Sequence, residues 1–218
     1  MPLHTLAWDE YLASLGIRVE DLEQRMHGKR NAELVKDLIS ADLPEDVVFH
    51  HGAAKEQLWR EMILRDGVDR YRVPGLIDFL ERHTNVPKAI ASNAEPQNID
   101  FVLEQYDLRR FFPVTVNGFD VRRPKPFPDI YLEAARRLRT EPQNCIVFED
   151  SPTGLQAGVD AGMRVVGVET SPAKLSGASL TVKDFTDPAL EDWLAGQEFR
   201  QASVPPRTAT IPDDVYRH

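Results

Sequence analysis

The chain has 218 residues, 42% of them hydrophobic and 28% charged, with a formal net charge of −9 at pH 7. This composition supports a buried core and excludes disordered or collagen-like chains, and the acidic balance argues against broad binding to a nucleic-acid backbone. No apolar run approaches the roughly 18 residues of a membrane span, no basic-then-apolar leader is visible, and the single cysteine, Cys145, reads as a buried small hydrophobe in a reducing, cytoplasmic setting.

From Leu3 to about Arg72 the pattern is helical. Leu3, Leu6, Ala7, Tyr11 and Leu15 recur at helical spacing before Gly16. Leu22 to Met26 and Leu34 to Ile39 predict two short helices with Gly28 between them. Pro44 opens a further segment, where Leu58, Met62 and Ile63 mark a helix ending near Gly67. The adjacent pair His50-His51 reads as a solvated loop rather than a metal site, since no Cys/His spacing supports one.

Beyond this point the chain alternates. A helix carrying Leu76, Phe79 and Leu80 precedes the short apolar run 88–91, and a helix through Ile99, Val102 and Leu103 precedes the β-branched run 114–116. A helix from Pro128 to Leu138 leads to a strand at 145–148, a helix at 155–161 leads to a strand at 165–168, and Leu180 to Val182 adds an edge strand. Strands separated by helices of this length predict an α/β fold, a parallel sheet covered on both faces. Beyond Gly196, prolines without periodicity read as a poorly ordered tail.

In such sheets ligands bind outside the carboxyl ends of the strands. Ser92-Asn93-Ala94 follows the first strand, Arg123-Pro124-Lys125-Pro126 the second, and Glu149-Asp150-Ser151-Pro152 the third. Carboxylate oxygens suit Mg²⁺, and lysine and serine suit phosphoryl oxygens as charge redistributes. Taken singly, Ser151-Pro152 is a helix entrance, Ser92 a loop hydroxyl and Lys125 a solvated charge. In order, each at a strand's end, they point to a phosphorylated ligand.

Ala91-Ser92-Asn93-Ala94, the run 123–129 and the run 147–154 resemble the second, third and fourth motifs of the haloacid dehalogenase superfamily. The nearest likeness is to the β-phosphoglucomutase-like phosphatases with an inserted helical cap. The resemblance implies a Rossmann-like three-layer core at 73–196, a cap at 4–72 and a tail at 197–218. It implies that Ser92 and Lys125 bind the transferring phosphoryl group, and that Glu149 and Asp150 hold Mg²⁺. It also implies that His4, placed before the first helix, faces the site, that Asn93 contacts substrate, and that Lys29, Arg30 and Asn31 belong to a substrate-specificity loop beginning at Gly28.

The same resemblance implies an Asp-x-Asp pair ending a central first strand, one aspartate the nucleophile and the other the general acid/base. Only Met1-Pro2-Leu3 precede His4, and Asp9, Asp21 and Asp37 fall on predicted cap helices. The expectation is therefore a chain without its nucleophile and without a central strand of about 5–6 residues, Met1 not being the natural start. Either the neighbouring strands close the gap, another segment fills it, or the fold is marginal. The leading expectation is a Mg²⁺-dependent phosphatase of a small phosphorylated metabolite such as a sugar phosphate, inactive as given. A phosphomutase is the alternative, with Asn31 standing where an arginine would grip a second phosphate, and a non-catalytic phosphate-metabolite binder or truncated remnant is another. A dehalogenase would need the same aspartate. No P-loop, dinucleotide fingerprint or Gly-x-Ser-x-Gly elbow is present, and no nucleic-acid, membrane or obligate protein partner is expected.

Overall fold

The structure is a computed structural model that describes residues 3–26, 29–171 and 173–197. Gly28 and nearly all of the expected tail lie outside the described residues.

Four helices come first. They are α1 (Leu3–Ser14), α2 (Leu22–Met26), α3 (Asn31–Leu38) and α4 (Glu45–Asp66). Their apolar stripes meet in a core of their own, with Trp8, Leu12, Leu34, Val35 and Val48 at its centre. Gly16 and Gly67 stop α1 and α4 by taking positive φ, +75° and +88°, which residues bearing a Cβ resist. Two sequence expectations change here. His4 lies within the first turn of α1 rather than before it. His50 and His51 lie inside α4 rather than in a loop, and His51 Nδ1 is 2.7 Å from the Tyr11 hydroxyl.

A short 3₁₀ turn at Val68–Tyr71 leads to α5 (Leu76–Arg82), β1 (Ala89–Ser92), α6 (Pro96–Gln105), β2 (Val114–Asn117) and α7 (Asp129–Leu138). After a second 3₁₀ turn, Pro142–Asn144, come β3 (Ile146–Glu149), α8 (Pro152–Asp160), β4 (Arg164–Val168), β5 (Leu180–Val182) and α9 (Pro188–Ala195). The sequence reading missed α9, whose start is set by Asp187, its side chain accepting from Ala189 N, with Pro188 at the first helical position. Helix α8 starts the same way, Ser151 accepting from Gly154 N ahead of Pro152.

All strand pairs are parallel, but they form two sheets. β1 pairs with β2, from Ala89 opposite Val114 to Ser92 opposite Asn117. β3, β4 and β5 form the other sheet in that order. Among the described residues no strand is hydrogen-bonded between β1 and β3, so neither the neighbours nor another segment closes the expected gap. Helices join the halves instead. α7 packs on β1 and β2, α8 on β3 and β4, and the two helices pack on each other over a core that includes Val116, Ile130, Val147, Leu155 and Val165. On the opposite face Phe79, Val166, Val168, Val182 and Leu190 form a second core. Strands between helical layers on both faces are the predicted α/β architecture. Cys145 is only half-buried at the rim of the first core, because it precedes β3 rather than lying within it.

Candidate active site at the divided sheet

A cavity of about 530 Å³ lies between β1 and β3, walled by Ala91 and Ser92 on one side and Phe148 and Glu149 on the other. Lys125, Asp150, Ser151 and Thr170 line its polar end, Val73, Val168 and Phe185 its apolar wall, and His4 reaches it from the helical unit. Strands are parallel within each sheet, and the carboxyl ends of β1 and β3 meet the loop after β2 at this cavity, where ligands of parallel sheets bind.

Ser92 ends β1, and its hydroxyl accepts from Ala94 N at 3.1 Å, folding the loop back on itself. Asn93 clamps the neighbouring loop. Its Oδ1 accepts from Lys125 N at 3.2 Å and its Nδ2 donates to Lys125 O at 3.4 Å. With its backbone so held, Lys125 extends across the cavity. Its Nζ donates to Ala91 O at 3.0 Å and to Glu149 Oε1, and it lies 4.8 Å from the Tyr131 ring centroid.

Glu149 is almost fully used. Oε1 also accepts from the Tyr131 hydroxyl at 2.5 Å, and Oε2 from Ser151 Oγ at 2.9 Å and Ser151 N at 3.3 Å. Burial alone would raise its pKa. The Lys125 ammonium, with the hydrogen bonds from Lys125, Tyr131 and Ser151, outweighs that and holds it below the usual carboxylate value. Burial and the Glu149 charge push the Tyr131 phenol well up, so it stays a donor. Gly154 makes the packing possible. A Cβ there would lie 2.0 Å from Glu149 Cδ. Asp150 is exposed, with Oδ2 accepting from Thr170 Oγ1 at 2.7 Å.

His4 stacks on Trp59 with ring centroids 4.8 Å apart and planes 2° from parallel, and its Nδ1 is 3.0 Å from Lys55 Nζ. Although 46% of its side chain stays exposed, desolvation in the cleft and then the Lys55 charge lower its pKa to about 4, against an opposing pull from Glu56. It is therefore neutral near pH 7.

The structure thus brings His4, Ser92, Asn93, Lys125, Glu149 and Asp150 to one cavity. It does not bring Lys29, Arg30 or Asn31 there. Lys29 Nζ pairs with Asp37 at 2.8 Å, the Arg30 backbone caps α3 with its N donating to Glu33 at 2.8 Å, and Asn31 Nδ2 donates to Glu56 and Glu95 at 2.7 and 3.1 Å. Sequence reasoning missed Tyr131 and Thr170, whose positions carry no motif. It also missed Lys55 and Glu56, whose one signal is the run of small residues, Gly52-Ala53-Ala54, just before them in α4.

Mg²⁺ takes hard oxygens in an octahedral shell. Among the described residues no three His, Cys, Asp or Glu side chains converge as a metal site. Glu149 and Asp150 alone remain, and Glu149 already holds Lys125, Tyr131 and Ser151. These two residues by themselves do not fit the ion.

A family described as haloacid dehalogenase-like hydrolase matches residues 2–162. The fructose-1-phosphate phosphatase of Escherichia coli is 31% identical over 175 residues, which are 77% of this chain and 88% of that protein. The bifunctional riboflavin kinase/FMN phosphatase of Arabidopsis thaliana is 38% identical over 122 residues, 54% of this chain, and the chain spans only 32% of that longer protein. Among solved structures, a β-phosphoglucomutase from Clostridium difficile superposes with a TM-score of 0.73 at 22% identity, covering 88% of each chain.

Proposed function

Because the chain belongs to the haloacid dehalogenase-like hydrolase family, we propose that its cavity binds the phosphate monoester of a small metabolite, such as a sugar phosphate, and serves phosphoryl transfer to water once completed by a nucleophilic aspartate, without which the chain as given is inactive. The observation that carries this reading is the meeting of Ser92, Lys125, Glu149 and Asp150 at one end of the divided sheet. Relatives named as phosphatases of fructose 1-phosphate and of FMN support it. The net reaction would turn the monoester and water into an alcohol and inorganic phosphate.

In this reading Lys125 and the Ser92 hydroxyl bind the phosphoryl oxygens. Asn93 keeps the Lys125 loop in place, and neutral His4 donates a hydrogen bond from above. Residues 4–72 serve as a cap that excludes water from the cavity, and 73–196 as the core. Mg²⁺, if bound, would need carboxylates beyond Glu149 and Asp150, so no step is assigned to it. Phosphatase is favoured over phosphomutase because Asn31 is uncharged and already bonded to two carboxylates. Asn31 offers a second phosphate no charge and Lys29 is paired with Asp37, which leaves Arg30, one position earlier, as the cation of this segment that could grip one. Simple binding without turnover is the second reading, and the Lys125–Glu149 pair favours it, since the lysine is neutralised within the site.

The test compares the chain as given with one extended at its N-terminus by an apolar strand ending in Asp-x-Asp. Phosphate release from fructose 1-phosphate and isomerisation of glucose 1-phosphate would both be assayed. Phosphate release by the extended protein alone, dependent on Mg²⁺, is expected. A folded extended protein that releases no phosphate from any monoester of a broad panel would end the phosphatase reading, and isomerisation would replace it with the mutase.

A further inference from the structure

Where α3 and α4 meet the start of α6, three side chains that normally sit in water are buried. Lys55 is 2% exposed, Glu56 5% and Asn98 3%. Buried charges and amides are tolerated only when partnered, and here the partnering converges on one group. Glu56 Oε1 accepts from Lys55 Nζ at 2.6 Å and from Asn31 Nδ2 at 2.7 Å, while Oε2 accepts from Asn98 Nδ2 at 2.6 Å. Asn98 is fastened from its other side, its Oδ1 accepting from Arg60 Nη1 at 2.6 Å.

These bonds cross a seam. Asn31, Lys55, Glu56 and Arg60 belong to the helical unit, whereas Asn98 lies on α6 beside β1. Beyond the seam Lys55 passes the constraint to the cavity, since its Nζ also faces His4 Nδ1 at 3.0 Å. An ammonium can only donate, so His4 Nδ1 accepts, and the proton of the neutral ring sits on Nε2. Burial lowers the Lys55 pKa, and the Glu56 charge opposes that and favours the ammonium form.

We propose that Glu56 is a positioning residue whose carboxylate, gripping Asn98 with one oxygen and Lys55 with the other, locks the helical unit to the sheet-bearing part and sets His4 over the cavity. The lock is polar, directional and buried, so its members depend on one another. Loss of the Glu56 charge takes the nearest counter-charge from the buried Lys55 ammonium, leaving Glu95 as the weaker one, and opening the seam to water relieves it. No turnover enters this inference, so it stands or falls apart from the phosphatase reading.

The test uses the full chain, with amide hydrogen exchange and the NMR signals of the His4 ring, which the stacked Trp59 shifts upfield. In Glu56→Gln, exchange in α1 and α4 is expected to rise tenfold or more, with β4 unchanged, and the His4 ring signals to lose their upfield shift. Asn98→Ala should move both readouts in the same direction but less, since Lys55 keeps its counter-charge. Lys36→Ala, which removes the exposed pair with Glu45, should move neither. A Glu56→Gln protein with a lower melting temperature but wild-type seam exchange and His4 shifts would overturn the proposal. Should that variant fail to fold, Asn98→Ala decides, and unchanged seam exchange and His4 shifts there would equally overturn it.

Discussion

Lys125 Nζ meets the Glu149 carboxylate across the division between the two sheets, and the same Nζ donates to Ala91 O on the far side. One side chain from a loop thus ties the end of β1 to the end of β3, where no backbone ladder does so among the described residues.

Both members of that pair are only 9% exposed, so removing one leaves the other charged and dry. Lys125→Met is expected to lower stability by about 3–5 kcal/mol, and adding Glu149→Gln should recover part of it. Urea unfolding at pH 7 would measure both. The folded-state pKa of Glu149 is depressed, so its contribution is complete above its ordinary value of 4.5 and is lost as pH falls through the lower folded value. The wild-type advantage over Lys125→Met should therefore shrink in acid.

Gly154 and Gly52 offer a contrast between two helical glycines. A methyl group at Gly154 would lie 2.0 Å from Glu149 Cδ, whereas one at Gly52 would touch only Asn31 Cβ at 3.4 Å. Gly154→Ala is expected to cost about 1–3 kcal/mol by displacing the Glu149 carboxylate from Lys125. Gly52→Ala should be neutral or gain up to about 1 kcal/mol from helix propensity. Thermal unfolding of the two variants side by side checks this.

Divalent cations supply a third expectation. With Glu149 committed to Lys125, calorimetric titration of the chain with Mg²⁺ should show binding no tighter than about millimolar, in line with sites short of carboxylates. A micromolar Mg²⁺ isotherm would contradict the fit argued above.

His4 should not titrate near neutrality. Its folded value of about 4 lies below the ordinary 6.5, so between these limits the unfolded chain binds the proton first. Stability should fall as pH drops from 6.5 towards 4, and His4→Gln should flatten that slope. Denaturation at several pH values, with NMR titration of the imidazole, tests both.

Much of this was legible in the sequence. The strands at β1 to β5 are short apolar runs bounded by turn residues. Ser92 and Glu149 end such runs, and Lys125 stands in the proline-flanked loop that follows β2. Ser151-Pro152 announced α8 by local chemistry alone. What escaped notice depends on contacts distant in sequence. Lys55 and Glu56 look like an ordinary exposed pair until α6 brings Asn98 against them, 42 positions away. Tyr131 is one more apolar residue of α7 until its hydroxyl reaches Glu149. Likewise, Lys29 and Arg30 suggested a loop facing ligand, but Asp37 and Glu33 lie near enough in the chain to engage that segment first.

The division of the sheet also bears on how the molecule comes apart. Backbone ladders make strands melt together, and among the described residues no ladder joins β1 to β3. Cooperativity between the two passes through the α7–α8 contact, the apolar core that Val116 and Ile130 share with Val147, Leu155 and Val165, and polar ties such as Lys125. With side-chain packing rather than a ladder between them, β1–β2 with α7 and β3–β4–β5 with α8 and α9 are expected to lose structure at different free energies. A calorimetric enthalpy larger than the van't Hoff enthalpy would be the signature of that broken concertedness.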